Sequence, residues 1–358
     1  TLTKYFTPIP LQNPDSAWNV LKPALKGKKL FLFGESHGVG CNLTLQLSLL
    51  KYLHKHAGVR YLIWEMSPSA AYFYNLYLQT GKRGYLIHTA YVNYKEDRIF
   101  WNNLYQFNQS LPIQSRIQVI GVDVPDEEDF TALLNLLFKR HSTQLQQLPN
   151  RIKIQAQLKK GKNINTKEAI ALQRLLRQGL RKYPEQYQKI FGQDYWFLQY
   201  MVRNPWNDLE SKRRDRQMAN NITLVRQKFI KGNYMGIFGG YHVDLFTRKK
   251  NMRRFLQRDR SLQNRIQIFL IQYHKVESSD WEETRFFDHM GGIDTRVLDK
   301  WKSGAWLGRK IKNAVTLMPL KPLLEVFGIQ TQVGDYLLFI QNQKAETFEQ
   351  VKLDKLKD

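Results

Sequence analysis

A chain of 358 residues that is 42% hydrophobic and 13% aromatic can bury a sizeable core, which excludes a disordered polypeptide. Its net charge of +24 suits either a basic, solvated surface or an acidic partner, a small anionic substrate or an acidic membrane surface, with no nucleic-acid motif beside it. The single cysteine, Cys41, excludes an intrachain disulfide, and no apolar run reaches the roughly 18 residues of a bilayer span.

The compartment stays open between the cytoplasm and the periplasm or cell envelope. Thr1 stands where a Met would, as expected of a trimmed chain or one that has lost a signal segment.

Residues 1–27 are Pro-rich, then helical in pattern from Ala17 to Leu25, and read as an N-terminal extension. The apolar run Leu30 to Phe33 reads as a short buried strand over about 29–34, ending in Gly34-Glu35-Ser36-His37-Gly38. A helix follows over about 42–56, with Leu43, Leu47, Leu50 and Leu53 on one face, a basic last turn and Gly58 as its stop. Arg60 to Met66 is a second strand that delivers Glu65. Ser67-Pro68 then starts a helix that Gly81 stops. A helix over about 96–108 leads to a third strand, Ile117 to Asp123.

Between 139 and 190 there are 13 Lys or Arg against 2 Asp or Glu, with no strand pattern. This reads as a basic helical cap, inserted over 130–205. Its charge is either a solvated face or a lid over an anionic ligand. A helix over 208–230 precedes a fourth strand, Tyr234 to Phe238, which ends in Gly239-Gly240-Tyr241-His242. Further strands are expected at Ile266 to Tyr273 and Tyr336 to Ile340, while 285–330 shows no clear pattern.

Alternating strands and helices predict an α/β fold: a mostly parallel open sheet flanked by helices, with 28–358 as a single α/β domain carrying the cap. Ligands in such sheets bind beyond the carboxyl ends of the strands. Here those ends hold Glu35 and His37, Glu65, Asp123, and His242. Two imidazoles and two or three carboxylates would share one pocket. His54, His56, His88, His141, His274 and His289 are read as structural. With Glu65, the two Gly-x-x-His sites match a two-His, one-carboxylate arrangement. His37, Glu65 and His242 could then ligate a divalent metal. Without a metal, an imidazole oriented by a carboxylate can take a proton from water while the second assists.

In order along the chain, these motifs resemble the erythromycin esterase family, within a wider group that includes haem-binding ChaN-like proteins and TraB/Tiki-type proteases. Gly34-Glu35-Ser36-His37-Gly38 resembles the first motif of the family and Trp64-Glu65-Met66 its second. Trp101 to Asn108 with Ile120-Gly121-Val122-Asp123 is similar to its tryptophan-rich helix and "GxD" strand. Arg214-Asp215-Arg216-Gln217-Met218-Ala219-Asn220-Asn221 resembles its "RDxxMAxN" helix. Gly240-Tyr241-His242 stands at its late histidine, and Asp335 to Ile340 at its closing strand.

The resemblance implies an esterase-like hydrolase of ester, lactone or related acyl bonds. His37 would be the water-activating base, Glu65 its carboxylate partner, His242 a second catalytic imidazole and Glu35 a support. Asp123, Arg214, Asp215 and Tyr241 would bind substrate or brace the site. No cofactor is favoured; a divalent metal, as in a TraB/Tiki-type hydrolase or protease, and haem, as in a ChaN-like binding protein, are the alternatives. One residue separates Glu35 from His37 where the esterases have two, a spacing closer to the ChaN-like and Tiki-like branches. The late histidine also lacks the esterases' Ala-His-Asn context.

Overall fold

A computed structural model of the chain describes residues 2–12, 14–89, 94–159, 164–204, 206, 212–243, 251–274, 276–280, 283–287, 290–291, 311, 313–319, 322 and 335–344. His289 and most of 285–330 lie outside the described residues. The chain forms two compact units, one from 1–65, 91–118 and 222–352 and the other from 66–90 and 119–221.

The first unit holds an open, mostly parallel sheet. Its strands are β1 (Thr7–Pro8), β2 (Leu30–Glu35), β3 (Val59–Trp64), β5 (Asn233–Gly239), β6 (Ile266–His274), β9 (Met290–Gly291), β10 (Val315–Pro319) and β11 (Tyr336–Gln341). They run in the order β1-β10-β11-β6-β2-β5-β3, with β9 beside β6. The central pairs β11·β6, β6·β2, β2·β5 and β5·β3 are parallel. β2 is buried along its whole length, as a strand covered on both faces must be; that is why it reads as an unbroken apolar run.

The edge β1·β10·β11 is antiparallel, and so is a hairpin of β7 (Val276–Asp280) and β8 (Glu283–Phe287). No residue pattern pointed to β1, β7, β8, β9 or β10. Val-Glu-Ser-Ser-Asp lacks the apolar alternation that marks a strand, and a two-residue strand has no pattern at all.

Helices α1 (Lys22–Leu25) and α2 (Gly40–Ala57) follow the N-terminal segment and β2. Gly58 ends α2 in the left-handed region, at φ 64°. α4 (Lys95–Gln109), α11 (Gly240–Val243) and α12 (Met252–Leu256) complete the described helices that lie wholly within this unit.

β4 (Gln118–Gly121) carries the chain into the second unit. There α3 (Pro68–Thr80) is capped by Ser67, whose hydroxyl accepts from the Ala70 amide at 3.0 Å. α5 (Glu127–Arg140), α6 (Arg151–Leu158), α7 (Thr166–Lys182), α8 (Pro184–Phe191), α9 (Tyr195–Arg203) and the start of α10 (Lys212–Lys228) follow. Leu133, Leu137, Leu172, Leu176, Tyr187 and Phe191 form part of their shared core. Lys153, Lys167, Arg174, Arg181, Lys182 and Lys189 are exposed, a solvated basic face on amphipathic helices. Among the described residues no helix is long and apolar enough to cross a membrane.

Candidate functional site

β5 runs between β2 and β3, and the three strands end side by side. Glu35 is in register with Gly239, and the Glu65 amide, one residue past β3, donates to the Ile237 carbonyl at 3.2 Å. His242 follows in α11, directly after β5. Non-local pairing of three parallel strands therefore brings Glu35, His37, Glu65 and His242 around one backbone point, Gly239.

That point is tight. A Cβ on Gly239 would stand 3.3 Å from His37 Nε2, 3.5 Å from Glu65 Oε2 and 3.6 Å from His242 Cδ2. A side chain here would press on His37 and touch the other two, so Gly239 leaves room for the three candidate side chains to converge. Its backbone amide also donates to Glu65 Oε2 at 2.6 Å.

Each imidazole has its own carboxylate. His37 donates its Nδ1–H to Glu35 Oε1 at 3.0 Å. His242 Nε2 lies 3.1 Å from Glu65 Oε1. Glu35 is thus a second carboxylate on His37 besides the expected Glu65, whose charge also raises the His37 pKa. Only Ser36 separates the end of β2 from the turn that begins at His37, which puts the Glu35 carboxylate within reach of the ring.

Glu35, Glu65 and His242 are buried, whereas the His37 side chain is 57% exposed, the open member of the group. Desolvation pulls the His37 pKa down, but the hydrogen bond to Glu35 and the charges of Glu35 and Glu65 outweigh it and push it up to about 9. The exposure of the ring weakens the desolvation further, so the upward direction stands.

Other residues fix this loop, and the sequence reading did not single them out. Gln46 Nε2 donates to Glu35 Oε2. The Ser36 amide donates to Tyr273 Oη at 3.0 Å, Tyr273 donates to Asn42 Oδ1 at 3.2 Å, and Asn42 Nδ2 donates to the Ser36 carbonyl at 2.8 Å. Both peptide groups of Ser36 are thus held. Asn42 and Gln46 are buried polar residues one turn apart on α2, and polar residues at buried helical positions are the available signal for them. The Cys41 thiol is buried and pushed up to about 12 by desolvation, which leaves it protonated and a poor nucleophile. Tyr241 is 45% exposed, its ring edge-on to His242 with centroids 5.8 Å apart.

Asp123, Arg214 and Asp215 belong to the second unit. Arg214 grips Asp123 with Nε to Oδ1 at 2.8 Å and Nη2 to Oδ2 at 2.5 Å, a bidentate pair. Asn221 Nδ2 donates to the Val122 carbonyl at 2.7 Å and to Asn204 Oδ1 at 3.0 Å, and Asn204 donates to the Asp123 carbonyl. This part of the RDxxMAxN-like helix clamps the turn after β4. Arg214→Ala is expected to lower the unfolding free energy by about 3 kcal/mol, because it leaves a buried carboxylate without its cation. Urea denaturation of the variant checks this, with Arg214→Lys falling between it and wild type.

One nitrogen of each imidazole and both oxygens of Glu65 are engaged within the protein: His37 Nδ1 with Glu35, His242 Nε2 with Glu65 Oε1, and Glu65 Oε2 with the Gly239 amide. Among the described residues no group of three or more His, Cys, Asp or Glu is arranged to hold a metal ion. The donor set of His37, Glu65 and His242 therefore does not fit the metal alternative.

No protein-family model matches the sequence, and no curated protein matches it. Three solved structures share the fold. A protein from Bacillus cereus superimposes with a TM-score of 0.67 at 16% identity, covering 98% of each chain. A succinoglycan biosynthesis protein gives 0.64 at 15% identity over 96% of each chain. An erythromycin esterase, EreC, carrying a histidine-to-asparagine substitution and in its open conformation, gives 0.59 at 12% identity, covering 97% of this chain and 99% of that one. At these identities the likeness is one of fold, and that fold is the one the sequence motifs implied.

Proposed function

We propose that the protein is a hydrolase of ester-type bonds in which His37, held by Glu35, activates water and His242, held by Glu65, assists. The observation that carries this reading is the pair of His–carboxylate couples meeting at Gly239. Hydrolase folds of the erythromycin esterase type support it without naming the substrate.

Neutral His37 takes a proton from water as the oxygen attacks the acyl carbon. Glu35 stabilises the imidazolium that forms. The carbonyl electron pair moves onto oxygen and returns as the acyl–oxygen bond breaks. A proton from the imidazole pair neutralises the departing alkoxide. The products are the acid and the alcohol, and water is the only co-reactant.

With the His37 pKa near 9, most of the resting protein carries the protonated ring at neutral pH. A base acts only in its neutral form. The kcat/KM for p-nitrophenyl butyrate is therefore expected to rise with pH through a midpoint near 9 and level off above it, after correction for background hydrolysis. Glu35→Gln removes the carboxylate that raises the pKa, so the rising limb should move to lower pH. A profile that is flat, or that ignores the Glu35 substitution, would count against His37 as the base.

A further inference from the structure

α2 connects the active-site loop to a second feature. At 18 residues the helix is about 27 Å long, and its far end opens on a groove of about 790 Å³. Lys22 of α1, Lys51 and Lys55 of α2, and Arg60 of β3 line it. Asp15 is the one carboxylate among its described lining residues, and its Oδ1 already accepts from the Ser48 hydroxyl at 3.1 Å.

Basic residues at a helix C-terminus complement its dipole, which accounts for Lys55. It does not account for Lys22, from a different segment, or for four cations gathered about one concavity. Arg60 is fixed in place, donating from Nη1 to the Val59 carbonyl at 3.0 Å and to the His54 carbonyl at 3.4 Å. Tyr52, only 5% exposed, also lines the groove. Among the described residues its buried hydroxyl has no hydrogen-bond partner, and a buried hydroxyl left so is costly. The Tyr52 ring packs against His56 at 4.4 Å, and Lys51 Nζ sits 5.6 Å over the Phe107 ring. The walls thus offer apolar faces beside the charges.

The groove carries a positive field that acts on two imidazoles. His56 is held below its ordinary pKa by burial and then by the charges of Lys55 and Lys22. His54 is held low by burial, against its hydrogen bond to the Ser115 carbonyl, with the Arg60 charge adding to the depression. A bound anion would offset the charge contributions to these shifts and relieve the repulsion among the lysines.

We propose that this groove binds a phosphoryl anion, on a soluble phosphorylated compound or on a lipid headgroup, at a distance from the catalytic pairs. The volume is in the range of small-molecule sites, and the charges suit more than one phosphate oxygen. The inference does not depend on hydrolysis at His37.

The test is a titration of the whole protein with inorganic pyrophosphate, followed by calorimetry and by the His56 ring signals in NMR. Saturable binding with a rise in the His56 pKa is expected. Lys22→Ala/Lys55→Ala should weaken binding about tenfold or more. The control Lys153→Ala/Lys167→Ala removes the same charge from exposed positions of the second unit and should leave binding unchanged. Sedimentation with phosphatidylglycerol vesicles assigns the source: retention that the groove variant loses points to a lipid phosphate, and pyrophosphate binding alone points to a soluble one. Absence of saturable pyrophosphate binding, or equal loss in both double variants, overturns the proposal. Lys22 and Lys55 are exposed, so thermal melts of the variants should match wild type.

Discussion

His37→Ala is expected to lower kcat/KM for ester hydrolysis by about 10²–10⁴-fold, the usual contribution of a positioned general base. The argument rests on access. Of the four ionisable groups around Gly239, His37 alone is largely open, with 57% of its side chain exposed, while Glu35, Glu65 and His242 are buried. A substrate acyl group therefore meets Nε2 of His37 first, while Nδ1 faces Glu35. Glu35 keeps its hydrogen bond from Gln46 in the variant, so the fold should survive. The link between charge and stability has a definite sign. A histidine whose pKa is raised on folding stabilises the protein below its unfolded value, and that stabilisation fades as pH rises through about 9. Any thermal penalty of His37→Ala should accordingly be larger at pH 6 than at pH 10. Initial rates and melting curves at both pH values check the two halves of this prediction.

Gly121→Ala is expected to be the most damaging small substitution in the second unit. A Cβ at Gly121 would lie 2.0 Å from the Ser67 carbonyl oxygen, 2.5 Å from its carbon and 2.7 Å from the Met66 carbonyl oxygen. These are backbone atoms and cannot rotate away. They also hold structure in place: the Asp123 amide donates to the Met66 carbonyl at 2.9 Å, and Ser67 caps α3. Relieving the clash means moving the start of α3 or the end of β4. Overpacking of this kind costs about 3 kcal/mol, and a fall of several degrees in Tm should follow. An Ala variant that melts with wild type would show that this packing is looser than the distances imply.

The sheet was legible where a parallel strand leaves a continuous apolar run. Leu30 to Phe33, Arg60 to Trp64, Tyr234 to Phe238 and Tyr336 to Ile340 all fall within observed strands. Ser67, Gly58 and Gly81 marked helix ends because caps are local chemistry. The antiparallel edge was not legible, since β1 has two residues and β10 is a short run that ends in Pro319. The strand-end positions of Glu35, His37, Glu65 and His242 could be read, but their partnering could not. The contact of Glu65 with His242 and with the Gly239 amide depends on register with β5, 174 residues beyond the Glu65 carboxylate. The same distance problem hid the grip of Arg214 on Asp123, 91 residues apart. The Glu35–His37 contact is local, two residues apart.

One hydrolytic centre made of two imidazole–carboxylate couples should behave as a unit. The measurement that decides this is a double-mutant cycle on p-nitrophenyl butyrate and a small lactone, using His37→Ala, His242→Ala and the pair together. The account predicts measurable wild-type turnover, a large loss in each single variant, and little further loss in the double. Turnover that survives the double substitution, losses that simply multiply, or a wild-type protein inert toward both substrates would contradict it.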